Sequence, residues 1–114
     1  MSYSFVMDDP ILSRLNVTEE QIAAFCQKWK IVRFELFGSA LREDFDAASD
    51  IDVLVSFQEG SPHGLTELLA MEEQLQALFG RHVDLIERRL VESSRNWVRR
   101  RNILQSARLL YTAA

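Results

Sequence analysis

The chain has 114 residues, 47% hydrophobic and 26% charged, a balance typical of a soluble globular domain and not of a disordered segment. This length predicts one domain, residues 1–114, with no room for a second domain that recognises a bulky substrate. Charge is distributed unevenly, since residues 1–75 contain 14 acidic and 5 basic side chains whereas residues 76–114 contain 3 and 8. The net charge of −4 argues against direct nucleic-acid binding. The excess of arginine near the C-terminus is compatible with one local basic face.

Cys26 is the only cysteine, which excludes an intrachain disulfide and a cysteine-rich zinc site and fits a reducing cytoplasm. The first ten residues lack the basic start and the apolar core of a secretory signal. Every apolar run is far shorter than the roughly 20 residues that span a bilayer. We therefore expect a soluble, cytoplasmic protein, and the sequence assigns no role to residues 1–16.

A helix is predicted after Thr18, because Thr18 and Gln21 form a capping-box pattern and apolar residues then recur at helical spacing. These apolar residues are Ile22, Phe25, Cys26 and Trp29. Apolar side chains on both faces predict a strand over Ile31–Phe37, which ends at Gly38. A short helix is expected to begin at Ser39 and to include Arg42.

A second strand, Asp50–Phe57, is followed by a polar loop over residues 58–64. Leu65–Phe79 is predicted to be an amphipathic helix with Gly80 as its C-cap residue. Its apolar stripe is expected to lie in the core and comprises Leu65, Leu68, Leu69, Met71, Leu75, Leu78 and Phe79. His82–Glu87 then predicts a third strand.

The C-terminal part of the chain is less regular. Residues 88–94 fit neither pattern, and Arg95 to about Gln105 is predicted to be helical. Arg108–Thr112 fits either a final strand or a continued helix, and we favour the strand.

Two carboxylates stand at the start of the second strand. Successive side chains of a strand alternate between faces, so Asp50 and Asp52 point the same way, with Cα atoms roughly 6.5 to 7 Å apart. The apolar neighbours Ile51, Val53 and Val55 indicate a strand that is largely buried. Burying unpaired carboxylates costs several kcal/mol, so we expect a divalent cation to compensate them.

Asp84 is a third carboxylate, set between Val83 and Leu85 in a strand that we expect to neighbour the first two. Three carboxylates without paired histidines or cysteines suit Mg²⁺. Two such ions would orient the α-phosphate of a nucleoside triphosphate, activate an incoming hydroxyl and stabilise the pyrophosphate leaving group. Asp84 is then the candidate general base, and the predicted chemistry is nucleotidyl transfer.

Gly38-Ser39 supplies the complementary part of this pattern. A glycine at the end of a strand lets the backbone turn sharply, and the following N–H groups and the Ser39 hydroxyl can bind phosphate oxygens. Arg42, one helical turn later, contacts the triphosphate in one interpretation and pairs with Asp44 or Asp46 in the other. The turn alone is a weak signal, but beside Asp-x-Asp it indicates a phosphate site.

The residues Leu36-Phe37-Gly38-Ser39, a ten-residue spacer, Asp50-Ile51-Asp52-Val53 and the later Asp84 resemble the signature of the DNA polymerase beta-like nucleotidyltransferase superfamily. The short chain and the tail Glu92–Arg101 are similar to its minimal nucleotidyltransferase (MNT) antitoxins. The resemblance implies an α/β (α+β) fold, a single small domain in which a mixed sheet is flanked by helices. It also implies catalytic and metal roles for Asp50, Asp52 and Asp84 and nucleotide-binding roles for Gly38, Ser39 and Arg42.

The resemblance further implies an activity and a partner. MNT antitoxins pair with HEPN-domain toxins, which are all-helical ribonucleases, in hetero-oligomers, and they transfer AMP from ATP to a toxin tyrosine with the help of Mg²⁺. Two alternatives stay open. The first is a non-catalytic antitoxin that neutralises its toxin by occlusion, and the second is a small-molecule nucleotidyltransferase of the antibiotic-modifying kind.

Other notable residues have structural interpretations. Glu72 falls near the middle of an apolar stripe, and it either pairs with an arginine such as Arg33 or Arg95, which we favour, or bends to solvent at the helix edge. Neither histidine suggests a metal ligand, and His82 is expected on the surface. Trp97 is expected to be packed, with contact to a partner as the alternative. The neighbouring arginines either form a solvated helix face or bind ATP phosphates or an acidic partner. These arginines are Arg95, Arg99, Arg100 and Arg101.

Overall fold

The computed structural model of the chain describes residues 3–5, 10–38, 50–61 and 63–113. The elements in these ranges are β1 Tyr3–Phe5, α1 Pro10–Leu15, α2 Glu19–Trp29, β2 Ile31–Phe37, β3 Ile51–Phe57, α3 Leu65–Phe79, β4 Val83–Glu87, α4 Arg88–Glu92, α5 Trp97–Ser106 and β5 Arg108–Ala113. The strands form one sheet in the order β1-β5-β2-β3-β4. The β3–β4 pair is parallel and the other three pairs are antiparallel, which confirms the predicted mixed sheet.

Helices cover both faces of this sheet. On one face, α1, α2 and α3 enclose the main core, to which β3 contributes Val53. On the other face, α4 and α5 pack through Val91 and Ile103 onto Leu54. Because neighbouring strand residues alternate between faces, Asp52 lies on the same side of the sheet as Leu54, the side of α4 and α5.

The predicted ends of two helices are confirmed. The Gln21 N–H donates to the Thr18 hydroxyl at 3.2 Å, and the Thr18 N–H donates to Gln21 Oε1 at 2.9 Å, so α2 begins with a complete capping box. Helix α3 ends at Gly80, whose φ of +71° is left-handed and whose N–H donates to the Gln76 carbonyl at 2.8 Å. None of the helices that the structure describes has the length and hydrophobicity of a membrane span.

Both chain ends contribute to the sheet. The favoured final strand is confirmed as β5, which lies between β1 and β2. The N-terminal residues to which the sequence assigns no role include β1, which pairs with β5, and α1. Part of the unassigned stretch 88–94 is α4, and α5 begins two residues later than predicted, after Asn96, whose side chain accepts from the Arg99 N–H at 3.1 Å.

The expectation that the whole apolar stripe of α3 lies in the core is wrong for two residues. Met71 and Leu75 are fully buried, whereas Leu65 is 72% exposed and Leu69 is 56% exposed. A helix turns about 100° per residue, so Leu69 lies about 200° around α3 from Met71 and faces away from the sheet. Helix α3 therefore presents a second, exposed apolar edge.

Two side chains of α3 hold the edge strand β4. The Val83 N–H donates to Gln76 Oε1 at 3.2 Å, and the Leu85 N–H donates to Glu72 Oε2 at 3.1 Å. The predicted pairing of Glu72 with an arginine is therefore wrong. The outer N–H groups of an edge strand have no partner in the ladder, and these acceptors satisfy them on both sides of Asp84.

Candidate functional site

The candidate site lies where β2 ends and where β3 and β4 begin. Asp52 is directly opposite Asp84 in the parallel ladder, and it is opposite Phe37, the last residue of β2, in the antiparallel ladder. Opposite residues of adjacent strands point to the same face, so the side chains of Asp52 and Asp84 lie side by side. The prediction that the strand of Asp84 neighbours the first two strands is confirmed for β3, the strand of Asp52, but not for β2, which lies on the other side of β3.

The same ladder places a second pair of residues before the first. Ile51 is opposite Val83, and the Ile51 N–H donates to the His82 carbonyl at 3.0 Å. Asp50 and His82 therefore stand next to each other just before their strands begin. With Asp52 and Asp84 they form two rows of two side chains, which we call the acidic array.

Three members of the acidic array, Asp50, His82 and Asp84, are open to solvent. The Nδ1 atom of His82 lies 3.6 Å from Asp50 Oδ2, and its Nε2 atom lies 3.9 Å from Asp84 Oδ1. The side chains of all three residues are about half exposed. One ligand atom from each residue lies within 4.8 Å of the other two. A divalent cation can reach this group directly from water.

Gly38 follows the last residue of β2 and lies against the Asp52 side chain. Its φ of +71° lies in the region that residues with a side chain rarely adopt. A Cβ atom added at this position would overlap the Asp52 carboxylate. The chain therefore turns away from β2 with its backbone against the carboxylate of Asp52, and only glycine fits that approach.

The donor set of the array fits a divalent cation. Carboxylate oxygens are the ligands that Mg²⁺ prefers, and an imidazole nitrogen suits Mn²⁺ and other transition metals. Asp50 and Asp84 supply oxygens within the cluster, and Asp52 stands beside Asp84.

The sequence interpretation expected His82 on the surface, which its 55% exposed side chain confirms, but it did not place His82 beside Asp50. His82 precedes Asp84 by two residues, the same spacing that separates Asp50 from Asp52. Two strands with this spacing in parallel register place all four side chains together. Two other predicted site residues, Ser39 and Arg42, lie outside the described residues.

A cavity elsewhere in the domain is not part of this site. It has a volume of about 480 Å³ and is lined by residues that include Phe57, Glu87 and Arg89. Phe57 and Glu87 are the last residues of β3 and β4, so the cavity lies at the opposite ends of these strands from the acidic array.

The nucleotidyltransferase domain family matches residues 18–110, a range that contains the whole acidic array and Gly38. The chain belongs to this family. The chain is 36% identical over 67 residues to a protein from Methanocaldococcus jannaschii classed as a protein adenylyltransferase. This match spans 59% of the present chain and 66% of the length of that relative.

Two solved structures share the fold of the nucleotidyltransferase. A protein classed as a minimal nucleotidyltransferase matches with a TM-score of 0.64 and 29% identity, over 85% of this chain and 93% of that chain. A toxin–antitoxin structure with AMP-PNP matches with a TM-score of 0.62 and 19% identity, over 82% of this chain and 72% of that chain. The resemblance to minimal nucleotidyltransferases inferred from the sequence is thus confirmed.

Proposed function

We propose that this nucleotidyltransferase is the antitoxin of a HEPN toxin–antitoxin pair and that it transfers AMP from ATP to a tyrosine hydroxyl of the toxin, with Mg²⁺ as cofactor. The acidic array beside the Gly38 turn carries this proposal, because it combines cation ligands with a phosphate-type turn in a nucleotidyltransferase domain. The similarity to an adenylyltransferase and to a toxin–antitoxin structure with an ATP analogue supports the choice of donor and acceptor.

In this proposal, Asp50, Asp52 and Asp84 hold two Mg²⁺ ions. Bound Mg²⁺ supplies charge neutralisation and Lewis-acid polarisation at the phosphate oxygens. The turn at Gly38, followed by Ser39 and Arg42, binds the triphosphate. The 15-residue helix α3 and its acceptors keep β4 in register, so that Asp84 stays opposite Asp52.

The chemical step is an in-line displacement. The tyrosine oxygen attacks the α-phosphorus, a P–O bond forms to tyrosine, and the bond from the α-phosphorus to the bridging oxygen breaks. That electron pair leaves with pyrophosphate, and the tyrosine proton passes to the Asp84 carboxylate. About half of the Asp84 side chain is exposed, so a hydroxyl on the surface of another protein can reach it.

The C-terminal helices offer a surface for the toxin. The exposed fraction is 58% for Leu90, 58% for Trp97 and 44% for Val98, so the expectation that Trp97 is packed is wrong. In the described part of the chain, Arg99 and Arg101 have no carboxylate within ion-pair distance. Exposed tryptophan and arginine are typical of interfaces, and we infer a toxin face that is acidic and partly apolar. ATP as donor fits the expected cytoplasmic location.

The test uses ATP labelled at the α-phosphate, Mg²⁺ and a HEPN-domain protein that binds this chain when the two are co-expressed. We expect the toxin to gain label and the mass of AMP on a tyrosine. Asp52→Asn should abolish labelling without lowering the melting temperature, whereas Glu73→Gln, an exposed change on α3, should leave labelling intact.

Each alternative function gives a different result. If Asp52→Asn still neutralises the toxin and no adduct appears with the unmodified chain, the protein acts by occlusion. If label passes to a hydroxylated antibiotic and not to the protein partner, the chain is a small-molecule nucleotidyltransferase.

A further inference from the structure

His82 differs from the other members of the acidic array because it offers nitrogen and not oxygen. Its backbone is fixed by the hydrogen bond from the Ile51 N–H to its carbonyl, at 3.0 Å. Its ring lies between two carboxylates, with Nδ1 facing Asp50 at 3.6 Å and Nε2 facing Asp84 at 3.9 Å. The imidazole therefore stands inside the group of candidate ligands and not beside it.

This arrangement has a known counterpart in metal sites. A histidine that binds a metal through one ring nitrogen usually donates its other N–H to a carboxylate, which fixes the ring orientation. At His82, Nε2 can bind a cation beside Asp84 while Nδ1 faces Asp50, or Nδ1 can bind one beside Asp50 while Nε2 faces Asp84. Ligands bound to one cation by bonds of about 2.1 Å lie at most about 4.2 Å apart. The three ligand atoms, which lie within 4.8 Å of one another, must therefore move closer to share one cation.

We propose that His82 is a nitrogen ligand of a divalent cation of the acidic array and that this nitrogen raises the affinity of the site for Mn²⁺ more than its affinity for Mg²⁺. The preference follows from donor chemistry, since imidazole binds first-row transition metals well whereas Mg²⁺ favours oxygen. This inference concerns the site of the proposed adenylyl transfer. The use of the cation in catalysis rests on that proposed function, whereas the binding of the cation by His82 does not.

The experiment measures the metal alone, without ATP or toxin. Mn²⁺ is titrated into the full chain at millimolar protein and free Mn²⁺ is followed by electron paramagnetic resonance, with Mg²⁺ as competitor. Spin-echo modulation from ¹⁴N in the Mn²⁺-loaded protein reports a nitrogen ligand directly. The variants are His82→Asn and, as the matched control, His63→Asn, because the chain has two histidines.

We expect ¹⁴N modulation in the unchanged chain and in His63→Asn and its loss in His82→Asn. His82→Asn should weaken Mn²⁺ binding about tenfold and Mg²⁺ binding less than twofold. The proposal is overturned if Mn²⁺ does not bind, if the modulation survives in His82→Asn, or if both metals weaken equally while the thermal melt is unchanged.

The two proposals fail separately. Absence of a nitrogen ligand leaves adenylyl transfer with an all-oxygen site intact. Absence of label on the toxin, together with the expected Mn²⁺ result, overturns the proposed reaction and leaves the role of His82 standing.

Discussion

The carboxylate of Asp52 occupies the space that a side chain at Gly38 would need. The backbone at the end of β2 therefore lies against the Asp52 carboxylate near the beginning of β3, and a side chain at position 38 would displace one of them. Gly38 at the end of β2 thus lies directly against a proposed metal ligand.

We predict that Gly38→Ala damages both the fold and the site. Left-handed φ costs a residue with a Cβ about 1–2 kcal/mol, and the overlap with Asp52 forces a further shift. Transfer of AMP should fall at least tenfold, measured with α-labelled ATP. Gly80→Ala is the matched control, because Gly80 has the same φ of +71° but no atom within 4 Å of the added Cβ. Equal urea midpoints and equal activities of the two variants would contradict the prediction.

A second prediction concerns Glu72, which accepts from the Leu85 N–H next to Asp84. Glu72→Ala leaves this partly buried N–H without its acceptor, so we expect a loss of about 1–3 kcal/mol in the free energy of unfolding. Amide exchange at Leu85 should accelerate, and AMP transfer should fall because Asp84 loses its fixed register. Glu72→Gln retains an oxygen acceptor and should recover most of both properties. Unfolding is measured in urea, with Glu73→Ala as the exposed neighbour.

A third prediction concerns the buried carboxylate of Glu35 and the ion pair that it forms with Arg88. Glu35 is 3% exposed and accepts from Arg88 at 2.7 Å and from Arg33 at 3.0 Å, which joins β2 to α4. Arg88→Met should cost about 3 kcal/mol, at the low end for a buried pair because Arg88 is 21% exposed. Replacing Glu35 by Leu as well should recover much of the loss, since no buried charge then remains. A double-mutant cycle in urea measures this, and additive losses would refute it.

Much of the fold follows from local sequence signals. The capping box at Thr18, the left-handed Gly80 and the apolar strands are short-range patterns, and the predicted elements that fall on described residues appear within a few residues of their expected bounds. The short helix expected to begin at Ser39 lies outside the described residues. The errors concern relationships across the fold. Leu69 is an apolar residue of the kind that usually lies in a core, but the sheet can cover only one side of α3, and Leu69 lies on the other.

The site was only partly predictable for the same reason. The three aspartates stand out because charges are rare in apolar strands, but an isolated histidine carries no such signal. His82 joins the array only because β3 and β4 are parallel and in a register that places it beside Asp50. Strand register depends on packing between distant segments, which the local pattern around His82 does not contain.

Cys26 allows a prediction about pH. Burial in the main core raises the pKa of its thiol above the ordinary value of 9.0. The unfolded thiol ionises first, so the contribution to stability is fully present below about pH 9 and falls by about 1.4 kcal/mol per pH unit above it. Cys26→Ala should show a shallower loss of stability between pH 9 and 11 in urea titrations. A thiol reagent should react with the native chain only after unfolding, and rapid native labelling would contradict this.

The last prediction tests the proposed toxin surface by reversing the charge of two basic side chains, Arg101 and Lys28, that have similar aromatic contacts. The guanidinium of Arg101 lies 5.2 Å from the ring centre of Trp97 on α5, and the ammonium of Lys28 lies 5.3 Å from that of Trp29 on α2. Charge reversal therefore removes a similar cation–aromatic contact in both cases, but only Arg101 belongs to the surface formed by the C-terminal helices.

We expect Arg101→Glu to weaken binding to the toxin about tenfold, since like charges then meet across the interface and like-charge contacts cost several kcal/mol when desolvated. Lys28→Glu should change the dissociation constant less than twofold. Calorimetry at two salt concentrations checks the cause, because an electrostatic loss must shrink as ionic strength rises. If both reversals weaken binding equally, long-range charge and not the α5 surface directs the partner, and if only Lys28→Glu does so, the toxin binds on the α2 side.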